Sequence, residues 1–348
     1  MIRSFLFFIG ALLITTGCSK KIIAPTTANS TTVDEAKQVT VVRYLTGDGA
    51  DVSRTATAGL LLMGGSTDVD AAIQWFLQSG GGGDVVVIRS SGADGYNTYM
   101  YNMVPVNSVE TLIIDSREKA GLASVATTIR NAEALFIAGG DQWNYVNYWK
   151  DTPVEDAINY LLNTKKVPVG GTSAGMAILS GTYFSAQNGS VTSTQALSDP
   201  YNRYMTLGNA DFVAAPFMQN TITDTHYSQR DRQGRHITFL ARMMKDWSLT
   251  NVRGIGADEQ TAVCVDGAGM AKVYGTNDAY FLQNSGTGPE TCVAKKNLTW
   301  NRNGQAVQAY KVRGSATGNG SINLSTWSGF SGGTAYYYYV NNGTLMQQ

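Results

Sequence analysis

The chemistry that this sequence suggests centres on a serine between two glycines. Residues 171–175 read GTSAG, and Ser173 lies between an apolar run at 167–169 and a small, apolar run at 174–179. A G-x-S-x-G motif between a strand and a helix is typical of a nucleophile elbow, in which a tight turn projects the serine hydroxyl. Because the same pattern also occurs by chance in chains rich in Gly and Ser, the rest of the sequence must supply a base and an acid.

A serine nucleophile needs a general base, and the chain contains 2 histidines. His226 lies in the polar segment 224–235, DTHYSQRDRQGR, whereas His236 begins an apolar stretch at 237–244 that is typical of a helix face. We favour His226 as the base, since a polar loop can turn its imidazole into a cleft.

The acid that orients the base is expected at Asp258 or Glu259, which lie directly before a strand-like run. The resulting Ser, His, acid order differs from the Ser, acid, His order of α/β-hydrolases. An esterase of the α/β-hydrolase type remains an alternative, in which Ser173 would act with Asp211 and His236.

The elements that must position these residues alternate between strands and helices. Apolar runs predict strands at 59–63, 84–88, 109–114, 134–138, 167–169 and 261–265, and helical spacing predicts helices at 68–77, 125–132, 156–163 and 174–179. Continuous apolar strands that alternate with helices indicate a largely parallel sheet covered on both faces. Active sites of such sheets lie at the carboxyl ends of the strands, which is where Ser173 and the glycine pairs at 64–65 and 139–140 fall.

Composition excludes several classes of function. The chain has 348 residues, of which 43% are hydrophobic and 15% charged, and its formal net charge is +0. A neutral chain without a basic cluster does not favour nucleic acid as a partner. Neither glycine-rich segment, at 64–66 or 80–83, has a dinucleotide or P-loop pattern, so we expect no nucleotide cofactor. With few histidines and cysteines, we expect no metal site.

The amino-terminal residues predict export with a lipid anchor. A cationic start and an apolar run at 5–14 have the length of a signal peptide, and the run leads to Cys18. This resembles a bacterial lipoprotein signal at 1–18, although Thr15 stands where Leu is usual; an ordinary cleaved signal is the alternative. The polar, Thr-rich residues 19–38 suit a flexible tether, which would hold the protein in the cell envelope on the periplasmic or surface side of a membrane.

The amino-acid composition changes towards the carboxyl end of the chain. We expect an α/β domain at 39–283 and a small β-rich appendage at 284–348, where Gly, Ser, Thr and Tyr are frequent. The tyrosine run at 336–339 is interpreted as an edge strand, with a sugar-binding face as the alternative. Cys264 and Cys292 can pair in an exported protein, but their spacing leaves a disulfide open. The sequence also leaves a homodimer open.

Four segments together resemble the cyanophycinase and peptidase E family of serine peptidases, in particular its cyanophycinase-like branch. They are AGGDQ at 138–142, GGTSAG at 170–175, DTHYSQRDRQGR at 224–235 and GIGADEQTA at 254–262. The resemblance runs from about residue 60 to 280. It implies a flavodoxin-like α/β fold akin to class I glutamine amidotransferase domains.

The resemblance also implies roles for individual residues. Ser173 would be the nucleophile, His226 the base and Glu259 the acid, with Asp258 as the reserve acid. The backbone amides of Gly140 and Ala174 would form the oxyanion hole. The positions that match substrate contacts of the cyanophycinase branch are Gln142, Asp224, Arg230, Arg232 and Arg235.

The activity implied by the resemblance is that of an exopeptidase that hydrolyses aspartyl or β-aspartyl-arginine peptides through an acyl-enzyme. Arginines beside His226 suit the carboxylates of such a substrate, and Asp224 suits a cation. Thr225 stands where cyanophycinases often carry Gln, so cyanophycin itself is one candidate among several acidic peptides. A non-catalytic surface lipoprotein that binds peptide or glycan is a further alternative.

Overall fold

The computed structural model describes residues 39–348. The predicted signal peptide, the lipidated Cys18 and the tether lie outside these residues and stay predictions. No helix within residues 39–348 combines the length and the hydropathy needed to cross a bilayer.

The strands of residues 39–348 are, in chain order, β1 (Val42–Gly47), β2 (Gly59–Met63), β3 (Asp84–Arg89), β4 (Ser108–Ile113), β5 (Ala134–Ile137), β6 (Pro168–Thr172), β7 (Thr182–Phe184), β8 (Leu207–Asn209), β9 (Thr221–Asp224), β10 (Arg253–Ala257), β11 (Thr261–Asp266), β12 (Met270–Gly275), β13 (Asp278–Asn284), β14 (Val307–Arg313), β15 (Asn319–Asn323), β16 (Ser328–Ser331), β17 (Gly333–Asn341) and β18 (Thr344–Gln347). The helices are α1 (Asp70–Ser79), α2 (Gly95–Tyr101), α3 (Arg117–Ala120), α4 (Ala123–Asn131), α5 (Gln142–Trp149), α6 (Pro153–Tyr160), α7 (Ala174–Ala177), α8 (Ser193–Ser198) and α9 (Gln233–Trp247). A π-helical turn, Leu161–Lys165, extends α6, and a 3-10 turn lies at Arg302–Gly304.

The first sheet has ten strands in the order β1-β4-β3-β5-β6-β2-β11-β12-β15-β16. Its central strands β4, β3, β5, β6 and β2 are parallel, and antiparallel strands extend it on both sides. The central five are five of the six apolar runs from which the sequence predicted strands, and the sixth, at 261–265, is the antiparallel strand β11. The predicted α/β fold is therefore confirmed.

Helices cover both faces of these parallel strands, which explains why the strands are apolar throughout. Leu61 and Met63 of β2 pack with Ile73 and Phe76 of α1 in one buried cluster. Leu60 and Leu62 point to the opposite face of β2. They belong to a second cluster that includes residues of α4, α5 and α6. Successive side chains of a strand point to opposite faces, so a strand between two helical layers has no position for a polar residue.

The second sheet has eight strands in the order β18-β17-β14-β13-β10-β9-β7-β8. Helix α9 buries Ile237, Leu240 and Met243 in a cluster that also contains Trp300 and Val340. The β-rich carboxyl-terminal region that the sequence predicted is present: β14, β17 and β18 extend the second sheet, and β15 and β16 extend the first. The predicted boundary between the α/β domain and the carboxyl-terminal appendage, between residues 283 and 284, falls within strand β13. The division into these two domains stays a prediction.

The two remaining cysteines are free thiols, so the disulfide that the sequence left open is not formed. Cys264 packs with α1 in one buried cluster, whereas Cys292 packs with α9 in another. Burial raises the pKa of both thiols, which keeps them protonated and unreactive. Within residues 39–348, no group of three or more His, Cys, Asp or Glu side chains is arranged to hold a metal ion.

Replacing Trp300 by Ala tests whether the carboxyl-terminal strands fold with the rest of the chain. Trp300 is fully buried, its indole donates to the Thr287 carbonyl at 3.0 Å, and its backbone pairs with Val340. We expect a loss of about 3–5 kcal/mol in the free energy of unfolding, as for other buried aromatic truncations. Chemical denaturation followed by circular dichroism measures it.

The control is Met346→Ala, which truncates an exposed side chain on β18 and should change the free energy of unfolding by less than about 0.5 kcal/mol. A single transition at lower denaturant is expected for Trp300→Ala. Two separate transitions in the wild type would show instead that residues 284–348 fold independently.

Candidate active site

Ser173 lies on a strained turn between β6 and α7. Its backbone angles are φ 52 and ψ -112, a region that residues other than Gly rarely adopt. The flanking glycines permit this turn, because a Cβ at Gly175 would lie 2.0 Å from the Ile137 carbonyl oxygen. A Cβ at Gly171 would lie 2.5 Å from the Gly175 carbonyl carbon. The amide of Ser173 donates to the Met63 carbonyl at 3.0 Å, which ties the turn to β2.

His226 reaches Ser173 from the loop that follows β9. Its Nε2 lies 2.9 Å from Ser173 Oγ. The amide of His226 donates to the Gly64 carbonyl at 2.8 Å, and its φ of 47 turns the ring towards β6. The side chain that the sequence favoured as the base is therefore within hydrogen-bond distance of the serine hydroxyl.

Glu259 orients the imidazole from the loop that follows β10. Its Oε1 lies 2.7 Å from His226 Nδ1. Two neighbours fix the Glu259 backbone: Gln229 Oε1 accepts from its amide at 2.9 Å, and Asn277 Nδ2 donates to its carbonyl at 2.8 Å. Because Nδ1 donates to the carboxylate, Nε2 is left to accept the serine proton.

The adjacent carboxylate of Asp258 faces backbone amides instead of the imidazole. Its Oδ1 accepts from the Ser228 amide at 2.7 Å and its Oδ2 from the Asp278 amide at 3.3 Å. The side chain is buried, so it anchors the loop that carries Glu259. Of the two acids that the sequence left open, Glu259 is the one that contacts His226.

The pKa shifts of this pair favour a neutral base at near-neutral pH. Burial lowers the pKa of His226 below its ordinary value, and this effect outweighs the opposing effect of the hydrogen bond that Nδ1 donates to Glu259. The pKa of Glu259 is also lowered, chiefly by its hydrogen bond with His226. The imidazole is thus unprotonated and able to accept a proton, while the carboxylate stays charged.

Two backbone amides flank the serine hydroxyl. Ala174 is the first residue of α7, and the Gly139–Gly140 turn lies beside Ser173, since a Cβ at Gly139 would lie 3.7 Å from Ser173 Cβ. The Tyr145 hydroxyl holds this turn by donating to the Ala138 and Gly139 carbonyls at 2.9 and 3.1 Å. Within residues 39–348, the amides of Gly140 and Ala174 have no protein acceptor, so both can donate to an oxyanion.

Gly65 is a site residue whose role the sequence did not reveal. A Cβ at this position would lie 2.6 Å from His226 Nε2 and 3.0 Å from Ser173 Cβ. Its φ of +103 also favours glycine. The next residue, Ser66, lies close enough to the Glu259 carboxylate to contribute to its lowered pKa. The sequence feature that pointed to Gly65 was the glycine pair at 64–65. Sequence analysis placed this pair at the carboxyl ends of the strands but assigned it no contact with the catalytic residues.

Two of the predicted substrate contacts, Asp224 and Arg235, are buried against each other. They are 3% and 2% exposed. Arg235 donates from Nε to Asp224 Oδ2 at 2.8 Å and from Nη2 to Asp224 Oδ1 at 2.6 Å. Burial alone would raise the pKa of Asp224, but the charge and hydrogen bonds of Arg235 hold it below its ordinary value. A direct substrate contact by either side chain would require this ion pair to open.

The remaining predicted contacts are more accessible. Arg232 donates to the Thr225 carbonyl at 2.8 Å and to Asp224 at 3.4 Å, so the buried pair positions it. Arg230 is exposed and lies 3.9 Å from Glu259. Gln142, at the start of α5, is half-buried and donates to the Phe184 carbonyl at 3.2 Å.

The alternative set of Ser173, Asp211 and His236 is not brought together. His236 is fully buried, its Nε2 lies 3.2 Å from the Ile222 carbonyl, and burial lowers its pKa to about 4. Asp211 pairs instead with Lys150 and with the Tyr183 hydroxyl. The imidazole that the esterase alternative requires therefore belongs to the core.

The pKa of His226 tests which acid is its partner. We expect a pKa below the ordinary 6.5 in the wild type, and a still lower one in Glu259→Gln, because the charged carboxylate favours the imidazolium. Asp258→Asn should leave it nearly unchanged. Titration of the His226 ring proton by NMR measures this, with His226→Asn identifying the signal.

If hydrolysis depends on a neutral His226, its rate should fall as the pH drops through this pKa, since the protonated ring cannot accept the serine proton. A larger decrease of the pKa in Asp258→Asn than in Glu259→Gln would identify Asp258 as the partner instead.

The buried ion pair makes a second prediction. Arg235→Met removes the principal partner of the buried Asp224 carboxylate and leaves only Arg232 at 3.4 Å, so we expect the free energy of unfolding to fall by about 3–5 kcal/mol. Arg230→Met, the matched change at an exposed arginine, should alter it by less than about 0.5 kcal/mol. Denaturant titration of both variants measures the difference, and equal stabilities would show that the pair has no structural role.

The chain is similar in sequence to a known family of peptidases. The sequence model of Peptidase family S51 matches residues 60–273. The cyanophycinase of Trichormus variabilis is 26% identical over 176 residues, which cover 51% of this chain and 53% of that protein. The cyanophycinase of Geminocystis herdmanii is 23% identical over 214 residues, 59% of this chain and 72% of that protein. The match with the Trichormus protein thus spans about half of its length.

Among solved structures, a peptidase from an acI-B1 Actinobacterium is similar at a TM-score of 0.46 and 14% identity, covering 65% of this chain and 91% of that one. A putative peptidase E protein from Listeria monocytogenes EGD-e is similar at a TM-score of 0.40 and 16% identity, covering 64% and 100%. The family match covers more than half of the 348 residues and contains Ser173, His226 and Glu259. The chain belongs to peptidase family S51.

Proposed function

We propose that this protein is a serine exopeptidase of cyanophycinase type, which hydrolyses aspartyl or β-aspartyl-arginine peptides through an acyl-enzyme. The observation that carries the proposal is the continuous hydrogen-bonded chain from Ser173 Oγ to His226 at 2.9 Å and from His226 to Glu259 at 2.7 Å. This is the arrangement of a nucleophile, a base and an orienting acid.

In the acylation step, Ser173 Oγ attacks the carbonyl carbon of the scissile peptide bond while His226 Nε2 takes the hydroxyl proton. Glu259 stabilises the imidazolium through Nδ1. The negative charge that develops on the carbonyl oxygen is stabilised by the free amides of Gly140 and Ala174. His226 then returns the proton to the leaving amine as the C–N bond breaks, which leaves the acyl group on Ser173.

In the deacylation step, water replaces the amine. His226 takes a proton from the water as its oxygen attacks the ester carbonyl, and the same two amides stabilise the second oxyanion. The Ser173 C–O bond breaks, His226 donates its proton to Ser173 Oγ, and the carboxylic acid product leaves. The enzyme is then ready for another cycle without a cofactor.

The specificity proposal rests on the arginines beside His226. Arg232 is held by the Thr225 carbonyl and by Asp224, and burial lowers its pKa to about 10, so it stays charged near neutral pH. Arg230 is exposed and lies 3.9 Å from Glu259, next to the catalytic residues. Guanidinium groups in these positions suit the carboxylates of an aspartyl peptide. The name cyanophycinase of the relatives supports the same substrate class.

The proposed location of this activity is the cell envelope, on a lipid anchor at Cys18. The support is the signal-like sequence at residues 1–18 and the polar segment that follows it. A peptidase tethered in this way would act on peptides outside the cytoplasm.

Replacing Ser173 by Ala is the direct test of the chemistry. We expect kcat for a β-aspartyl-arginine dipeptide to fall by about 10⁴-fold or more, because removal of a triad nucleophile leaves only binding and the oxyanion hole. Products of cyanophycin and of α- and β-aspartyl peptides are resolved by mass spectrometry. Ser79→Ala, a serine whose hydroxyl donates to the Trp75 carbonyl on α1, is the matched control and should keep its activity.

Labelling with a serine-reactive phosphonate separates the alternatives. A wild-type protein that binds peptide but is not labelled at Ser173 would be a binding protein with a degenerate site. A labelled protein that cleaves no aspartyl peptide would retain the serine chemistry and contradict the proposed substrate.

A further inference from the structure

A cleft of about 480 Å³ begins at Thr67, in the loop after β2 that also carries Gly65, and has no role in the mechanism above. Its lining includes Asp68 and Asp70, Arg89, and the rings of Tyr96 and Tyr99. Both acids follow β2, and Arg89 is the last residue of β3. In parallel strands these ends share one edge of the sheet with Ser173, which follows β6.

The cleft is continuous with the active-site loop after β2. Gly65 packs against His226, and Ser66 contributes to the lowered pKa of the Glu259 carboxylate. Asp68 follows two residues later. Strands β5 and β6 lie between β2 and β3 in the sheet, so the residues after β2 and β3 that line the cleft flank the ends of the strands that carry the oxyanion turn and Ser173.

The carboxylate of Asp68 is not fully hydrogen-bonded in the folded protein. Its Oδ1 is shielded from solvent and has no hydrogen-bond partner within residues 39–348. Burial raises the pKa of Asp68, and the nearby Asp70 carboxylate raises it further, although a hydrogen bond with Tyr96 opposes both effects. A shielded carboxylate oxygen without a partner is costly, and a cation placed against Oδ1 would remove that cost.

The other charges of the cleft are already engaged. Asp70 accepts a hydrogen bond from the Tyr99 hydroxyl at 2.7 Å. The guanidinium of Arg89 donates to the carbonyls of Ser91 and Ala93. Two carboxylates against one guanidinium leave the lining with an excess of negative charge, and the tyrosine rings, 6.4 Å apart between centroids, offer faces that attract a cation.

The acid that the sequence assigned to a substrate cation, Asp224, cannot fill that role while it is paired. Both of its oxygens accept hydrogen bonds from Arg235, and Arg232 adds a third contact. Glu259 is bound to His226, and Asp258 to backbone amides. Asp68, by contrast, has an oxygen without a hydrogen-bond partner within residues 39–348 and lines the cleft, so it remains open to a positively charged group.

We infer that the cleft of Asp68, Tyr96 and Tyr99 is a substrate subsite that binds a cationic group of the peptide, either a guanidinium or ammonium side chain or the free α-amino group. The inference rests on the proposed peptidase function, since it assigns the subsite to the substrate of Ser173. The cation lies against the Asp68 carboxylate and beside the tyrosine rings, while the acyl group points to Ser173.

The test uses binding as well as hydrolysis. Isothermal titration of the Ser173→Ala protein with a β-aspartyl-arginine dipeptide gives the affinity without turnover. We expect Asp68→Asn to weaken binding by about ten- to a hundred-fold, the usual value of a hydrogen bond to a charged group. Asp156→Asn, the same change at an exposed acid on α6, should not alter the affinity.

Peptide variants then distinguish the two sources of the cation. Replacing the arginine by citrulline removes the side-chain charge, and acetylation removes the α-amino charge. One of these modifications should weaken binding to the Ser173→Ala protein but not to the same protein with Asp68→Asn. That modification identifies the cation that occupies the subsite. Asp68→Glu, which keeps the charge, should restore part of the affinity, and thermal melting checks that each variant is folded.

The inference would be overturned if Asp68→Asn bound every peptide as tightly as the Asp68 protein did, or if neither loss of charge affected binding. Wild-type hydrolysis with such charge-independent binding would leave the proposed function intact. Conversely, charge-dependent binding to Asp68 in a protein that hydrolyses no peptide would support the subsite and refute the peptidase activity.

Discussion

The arrangement of the site depends on a close contact between backbone atoms beneath Ser173. A Cβ at Gly175 would lie 2.0 Å from the Ile137 carbonyl oxygen, so the turn can pack against β5 only when position 175 is glycine. This packing holds Ser173 at a positive φ that costs on the order of 1–3 kcal/mol. The cost is offset by the buried strands around the turn. The same geometry projects the hydroxyl towards His226 and leaves the Ala174 amide free.

The site is also assembled across two sheets. Ser173 follows β6 of the ten-stranded sheet, whereas His226 and Glu259 follow β9 and β10 of the eight-stranded sheet. Backbone hydrogen bonds cross between them: the His226 amide donates to the Gly64 carbonyl, and the Gly65 carbonyl accepts from the loop after β10. Small shifts of one sheet against the other would change the serine–imidazole distance directly. The carboxyl-terminal strands complete both sheets and so support the site from a distance.

Sequence reasoning located the elements that are apolar throughout. The run at 84–88 became Asp84–Arg89, because buried parallel strands have a simple pattern. Helix α5, Gln142–Trp149, was not predicted, since its aromatic and Asn residues have low helix propensity. Tertiary contacts stabilise it: Tyr145 and Trp149 stack at 4.2 Å, and the Trp149 indole donates to the Ile114 carbonyl. The helix predicted at 174–179 ends at Ala177, where the chain turns into β7.

The charges of the site could be identified from sequence, but their pairing could not. Asp224 and Arg235 lie in a segment polar enough to suggest a surface loop, yet the packing of α9 against β9 buries them together. A carboxylate that accepts two bonds from a buried guanidinium has little attraction left for a ligand, because its charge is already neutralised at short range. Recognition of a charged substrate must therefore come from groups that folding leaves unpaired. Among the described residues, Arg230 keeps an exposed guanidinium 3.9 Å from Glu259, and Asp68 keeps one oxygen without a partner, so both groups retain the capacity to bind a ligand of opposite charge.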